Sequence, residues 1–513
     1  METDEFYKAS GYCYASIQTR ILLLIVLSMK NLSKLSILFL TISILFACSK
    51  EDKIPADVAV NDFIWKGLNA YYLHQDKISN LSDRKFSSQP ELNNYLRGFT
   101  DSEELFTSLL FDRPNTDNKS VLISDYNTVK TPAVRTAITN GIEFGIIEEP
   151  GNPANVLGYV THILPNSNAT LKDITRGTFF NAVDGVQLTK ENYTQRLSAT
   201  TTELSIATFD GSIVTSTAKK VQLTKTAYTH VPVFMSKTFV EGTNTIGYLL
   251  YNNDFSTNYI ADLNNTFLEF KNQGATQLVF DLRYNIGGGS FAKTIAQMAS
   301  MITGQFANQP LIKEKWNVKA QPWFETNQPD SLITNFSDQL NPTTAINGLQ
   351  LTDVYLILNG TNFKGSSAIE LLINSLRSYI NVHVVGRKTA GNNTGAITLY
   401  NSADYDFEGR NTDHTYALQP IVLEFLNKND ESYATGIIPS IETCAEEDIL
   451  NLGVLGETSD PLLENVLNYI ATGIIGANPV CNPNNFEFLY SSIQAQRIFD
   501  AGVFIEQNLP NTY

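Results

Sequence analysis

The chain has 513 residues, 43% of them hydrophobic and 17% charged, with 30 Gly and 18 Pro, which excludes collagen-like, low-complexity and wholly disordered chains. Against 52 Asp and Glu there are only 36 Lys and Arg, a net charge of −16 that offers no electrostatic footprint for nucleic acid. The 4 cysteines are too scattered for a zinc framework, and the 5 histidines show no HExxH or HxH spacing, so no metal or organic cofactor is expected.

Two apolar runs open the chain. Ile21 to Leu27 is too short to span a bilayer. The second follows Met29-Lys30-Asn31-Leu32-Ser33-Lys34 and ends at Leu45-Phe46-Ala47-Cys48, a basic start, a short apolar stretch and a small residue before the break. That is the pattern of a secretory signal. Its ending resembles the lipobox of bacterial lipoproteins. The resemblance implies Met29 as the start, 29–47 as signal peptide, Cys48 as the lipidated N-terminus and an anchor in the cell envelope, in the outer membrane on either face. An exported setting permits disulfides, and Cys444 and Cys481 are the remaining pair of the mature chain. A bridge would close a loop of about 38 residues.

From Asp57 to Leu110 the spacing predicts helices. Val60, Ile64 and Leu68 form one apolar stripe followed by Tyr71 and Tyr72, and helix starts stand at Ser88-Gln89-Pro90-Glu91 and, as a capping box, Thr100-Asp101-Ser102-Glu103. A helical N-terminal domain is expected over 48–130. Around Gly141 the texture changes to short strands and turns: Gly141-Ile142-Glu143-Phe144-Gly145-Ile146, Val156 to Ile163, Pro165 to Ala169, Arg176-Gly177 and Asn181 to Gly185. These segments, over 135–228, resemble a PDZ domain of the kind inserted in bacterial proteases, with Thr178 where such domains usually carry Asp. The resemblance implies peptide binding by strand addition near Gly141, Phe144 and Gly145.

From Thr245 onward strands at Gly247–Tyr251, Leu278–Leu282, Val354–Leu358 and Val382–Val385 alternate with amphipathic stretches such as Phe291–Ile302 and Ala368–Leu376. The alternation predicts an α/β core over 240–450 with a largely parallel sheet. Two strand-to-helix corners stand out. One is Leu278-Val279-Phe280-Asp281-Leu282-Arg283-Tyr284-Asn285-Ile286-Gly287-Gly288-Gly289-Ser290, whose glycines leave backbone N–H groups unobstructed but match no nucleotide-binding spacing. The other is Asn359-Gly360-Thr361-Asn362-Phe363-Lys364-Gly365-Ser366-Ser367-Ala368-Ile369-Glu370, where a serine before a helix reads first as an N-cap. The remainder, 451–513, is expected to be a helical extension, over Leu462–Ile470 and Phe486–Gln507.

These two corners and Val384-Val385-Gly386-Arg387-Lys388-Thr389-Ala390-Gly391, taken in order, resemble the C-terminal processing (tail-specific) serine peptidases with an embedded PDZ domain, from about residue 135 to 450. The segments Leu418–Val422 and Gly436–Pro439 resemble the lipoprotein branch of that family. The resemblance implies Ser367 as nucleophile, or Ser366 by a slip of one, and an oxyanion hole from the N–H of Ala368 with that of Gly287 or Gly288. It also implies that the substrates are peptides or proteins presented by their C-termini. The family's lysine base falls on Asn392, and the glutamine that orients it on Ala396. A neutral amide cannot accept the serine proton. Lys388 is the candidate substitute base, with His383 and His414 behind it; Lys364 lies too close along the chain. A peptidase is therefore expected, with a catalytically inactive peptide-binding lipoprotein as the alternative and a purely structural surface lipoprotein as a third.

Overall fold

In the computed structural model the described residues are 54–128, 136–252, 255, 257–285, 290–358, 366–443, 447–474, 486–493, 495 and 503–505. Met29, Cys48, Gly287, Gly288, Lys364, Cys444 and Cys481 lie outside them.

The N-terminal region is helical. Helix α1 (Ala59–Tyr71) buries Ile64, Leu68 and Tyr71 completely, so the apolar stripe faces inward. Helix α2 (Gln89–Leu96) is capped by Ser88, with Pro90 in its first turn. Helix α3 (Ser102–Ser108) is capped by Asp101, whose carboxylate accepts from the Glu103 N–H at 2.9 Å. The cap is thus one residue later than the Thr100 box.

A mostly antiparallel unit follows: β1 (Ile142–Glu148), β2 (Val156–Ile163), β3 (Phe179–Val183), α4 (Tyr193–Ser198), β4 (Thr201–Phe209) and β5 (Val214–Thr224). Its strands lie in the order β1-β2-β3-β4-β5 around a core of Ile146, Val160, Phe180 and Leu204. Gly158 is required here, because a Cβ would meet the Phe180 ring at 2.1 Å.

The core comprises β6 (Val233–Glu241), β7 (Asn244–Tyr251), α5 (Ile260–Asn272), β8 (Gln277–Asp281), α6 (Ala292–Thr303), β9 (Pro310–Trp316), β10 (Ile333–Asn335), β11 (Asp353–Ile357), α7 (Ser367–Leu376), β12 (Asn381–Gly386), β13 (Thr394–Ala396), β14 (Ile421–Asn427) and β15 (Ile441–Glu442). One sheet runs β6-β7-β8-β11-β12-β15. All its pairings are parallel except β6 with β7, as strand–helix alternation demands. A second sheet stacks β10-β9-β14-β13. Helices α6 and α7 pack between them, nearly all their side chains buried, in a continuous apolar cluster that also takes in α1.

Past the core, α8 (Pro461–Thr472) forms where a helix was expected, capped by Asp460. Of the second expected helix, Phe486–Gln507, the described residues form strands. Phe488–Ser491 is a strand, β16, added to β1, and Val503–Phe504 is a strand, β17, added to β13. Alternating aromatics in Phe486-Glu487-Phe488-Leu489-Tyr490 suit a pleated strand with two apolar faces better than one helical stripe.

Candidate active site

Strands β8 and β11 are parallel neighbours, with Asp281 opposite Ile357, so both corners leave the same end of the sheet. Just beyond, the Leu282 N–H donates to the Ile357 carbonyl at 2.9 Å and the Leu358 N–H to Val385 at 2.8 Å. Strand β12 ends beside them at Gly386, where a Cβ would stand 2.5 Å from the Leu358 carbonyl oxygen. Three successive parallel strands thus open onto one place, the usual position of a site in an open α/β sheet.

At the β11–α7 corner the two serines divide the work. Ser366 is buried, and its Oγ accepts from the Ile369 N–H at 3.2 Å, making it the N-cap of α7. Such a cap contributes about 1 kcal/mol. Ser367 is the first helical residue and half-exposed. The Ala368 N–H, in the first turn, has no acceptor within the helix. The expected cap therefore belongs to the neighbour of the serine that the family alignment singles out.

Glu370 ties this turn to the next loop. It is buried, and its carboxylate accepts from the Gly391 N–H at 2.6 Å and the Asn392 N–H at 2.9 Å. Burial pushes its carboxyl up, while the Thr389 hydroxyl and the two N–H donors pull against that. Gly391 is forced: at φ +89 a Cβ would meet the Ala434 carbonyl at 2.4 Å and the Gly436 nitrogen at 2.5 Å. The bend carrying residue 392 is thereby held against the first turn of α7. The Asn392 carboxamide oxygen accepts from the Thr394 hydroxyl at 2.8 Å, so its side chain is engaged along its own strand. Ala396, four residues on, is buried in β13.

Lys388 lies exposed beside Gly436, its Cε 3.2 Å from where a Cβ on that glycine would sit. The two histidines are committed elsewhere. His383 Nε2 bonds Asp353 at 3.0 Å, at the opposite end of β11 from the serines, and its ring stacks on Tyr355 at 4.6 Å. His414 bonds Asn401 at 3.0 Å and accepts from the Tyr416 N–H at 3.1 Å, its ring 5.4 Å from Phe63 of α1.

The β8–α6 corner is built on buried charge, which the sequence did not reveal. Arg283 is fully enclosed. Its guanidinium reaches the Asp281 carboxylate at 2.6 Å, Asp460 at 2.9 Å and Glu447 at 3.0 Å. Glu447 also takes the Arg176 guanidinium at 2.6 Å and the Tyr284 hydroxyl. Burial alone would raise the Glu447 carboxyl, but Arg176 and Arg283 together hold it down at about 2. His162 stacks on Tyr284 at 4.7 Å, and burial with Arg176 nearby keeps its imidazole neutral, down to about 3. This network joins the β unit (Arg176), the core (Asp281, Arg283, Tyr284) and the segment capping α8 (Asp460). On the far side of the glycines, the buried Ser290 Oγ accepts from the Phe255 N–H at 3.1 Å. The pattern Asp-x-Arg-Tyr after an apolar strand was visible; its partners are separated by more than a hundred residues and were not.

No group of three His, Cys, Asp or Glu among the described residues is arranged to hold a metal ion, and no described helix is long and apolar enough to cross a membrane.

Comparison with known proteins agrees with this architecture. The Peptidase S41 N-terminal domain model matches residues 59–118 and the Peptidase family S41 model residues 245–442. A solved structure assigned to the S41 proteases, from Bacteroides fragilis NCTC 9343, aligns with a TM-score of 0.59 at 23% identity, covering 80% of this chain and 97% of its own. A photosystem II D1 C-terminal processing protease aligns at a TM-score of 0.43 and 16% identity, covering 82% of this chain and 98% of its own. No curated protein matches the chain.

Proposed function

Because the chain belongs to the peptidase S41 family, we propose that it is a serine peptidase acting on exported polypeptides near their C-termini, with Ser367 as its nucleophile. The observation that carries this reading is the division of labour at the helix start. Ser366 closes the cap, while the half-exposed Ser367 stands on the first turn at the sheet end shared with the glycine corner. In the proposed reaction the Ser367 hydroxyl oxygen bonds to the scissile carbonyl carbon as its proton passes to a base. The resulting oxyanion takes the Ala368 N–H and an N–H of Gly287 or Gly288. Collapse expels the amine, which recovers the proton, and water then hydrolyses the acyl ester. Two such donors lower the barrier by several kcal/mol.

Lys388 is the base in this reading, since Asn392 has no proton-accepting nitrogen and both histidines are engaged elsewhere. A lysine serves only as its neutral amine. The same reading makes the β unit a PDZ-like peptide binder through Gly141, Phe144 and Gly145, and makes Cys48 a lipid anchor to the cell envelope. One observation favours the inactive alternative: the family's base position carries a carboxamide, and its oxygen accepts from the Thr394 hydroxyl.

A fluorophosphonate probe tests the choice. Labelling of the wild-type chain that disappears in Ser367→Ala, persists in Ser366→Ala and falls at least tenfold in Lys388→Ala supports the peptidase. Absence of labelling while peptide C-termini still bind establishes the inactive binder.

A further inference from the structure

The tail of the chain occupies two places that a peptide ligand would need. Strand β16 adds antiparallel to the outer edge of β1, pairing Phe488 with Ile147, Tyr490 with Ile146 and Ser491 with Gly145. It runs toward Gly141, at the start of β1. Ser492 completes the pairing: its N–H donates to the Phe144 carbonyl at 2.9 Å, and its Oγ accepts from the Phe144 N–H at 2.8 Å. The same hydroxyl donates to the buried Glu143 carboxylate at 2.5 Å. The Tyr490 ring lies 5.8 Å from Phe144 and 5.9 Å from Tyr193 at the start of α4, so the segment is wedged between strand and helix. On the opposite face Phe486 meets Phe209 at 5.4 Å and Phe488 meets Tyr159 at 6.4 Å.

Further along the same tail, β17 lies parallel to β13, with Val503 opposite Gly395 and Phe504 opposite Ala396. The Phe504 N–H donates to the Ser290 carbonyl at 2.8 Å, and its ring is 6.3 Å from Phe291. Ser290 closes the glycine corner, and Gly395 stands three residues beyond Asn392. The strand therefore borders Ser290, just before α6, and the strand that follows the Asn392 bend.

We infer that the tail is a ligand in cis: it fills the peptide-binding edge of β1 and, further along, holds the open edge of β13. An extended peptide with aromatic residues at alternate positions, in the pattern of Phe486, Phe488 and Tyr490, competes with it for that edge. Strand addition supplies main-chain hydrogen bonds to any such peptide, and the aromatic contacts select among them. Tethering gives the tail a high effective concentration, so a peptide arriving from solution meets a site that is mostly filled. The inference rests on the proposed function for the PDZ-like reading of the β1 edge, and not on hydrolysis.

A fluorescein-labelled peptide of residues 486–493, titrated by anisotropy into the full chain, reads the competition. If the tail holds the edge more than nine-tenths of the time, Phe488→Asp combined with Tyr490→Asp should tighten peptide binding by at least about tenfold. Equal affinity for wild type and variant, or no binding to a variant whose unfolding temperature is unchanged, overturns the inference. Should that variant not fold, the wild-type chain still decides: saturating peptide should speed amide hydrogen exchange of the chain's own 488–492, and unchanged exchange overturns it. Peptide exchange without fluorophosphonate labelling removes the peptidase reading and keeps this one; labelling with no competition does the reverse.

Discussion

The two corners of the site leave the same end of adjacent strands and are held by opposite means. The β11–α7 corner is fixed by neighbours: Ser366 caps its own helix, and Glu370, one turn along, clasps the backbone of 391–392. The β8–α6 corner is fixed by strangers, with Arg283 bound to Asp281 beside it and to Glu447 and Asp460 from far down the chain. A neutral cap and a single buried carboxylate, satisfied by backbone donors, hold a turn that leaves the Ser367 side chain half-exposed. A buried guanidinium among carboxylates is costly to desolvate, but it fixes where three regions of the molecule meet.

That contrast is open to breakage. The largest effect is expected from Arg283→Met, which leaves Asp281, Asp460 and Glu447 facing one another without their shared cation; chemical denaturation should register a loss of about 3–5 kcal/mol. Acid should erode the same corner next. The Glu447 carboxyl is depressed in the folded chain, so its contribution is complete above its unfolded value near 4.5 and disappears as pH falls toward 2. Measured between pH 6 and 2, the wild type should lose about 3 kcal/mol more than Glu447→Gln, whose own profile should be flatter. His162, kept neutral, works in the same direction, losing its share as pH drops below its ordinary 6.5. The smallest effects sharpen the other corner. Ser366→Ala should cost about 1 kcal/mol by thermal unfolding, whereas Ser367→Ala should leave stability within about 0.5 kcal/mol.

Legibility in the sequence follows the same division. The parallel sheet was readable because β8, β11 and β12 are apolar runs separated by helix-length amphipathic stretches. The stripe of Val60, Ile64 and Leu68 gave α1 for the same local reason. What stayed hidden was either one residue wide or very long in range. Ser366 and Ser367 are chemically identical neighbours, and only the geometry of the turn assigns the cap. The same one-residue ambiguity shifted the α3 cap from Thr100 to Asp101. Asp281 and Arg283 are visible as a pair, yet nothing local announces Glu447, Asp460 or Arg176. The tail was misread for a physical reason: the alternation of 486–490 is short, and Phe488–Ser491 and Val503–Phe504 are fixed as strands by the open edges of β1 and β13, which lie far away in the sequence. Glu370 served in the sequence only to fix an alignment; its buried carboxylate, reaching back to 391–392, is a contact that no spacing rule supplies.

The placement of Arg283 also bears on how the protein is made. Its cation is translated 164 residues before Glu447 and 177 before Asp460. At ordinary ribosomal speed the counter-charges emerge about 10–35 s later. Until then the guanidinium has only Asp281 beside it, so the ion network at the end of β8 cannot be complete on a partly synthesised chain. The junction of its three regions is thereby completed last, once nearly the whole chain has left the ribosome.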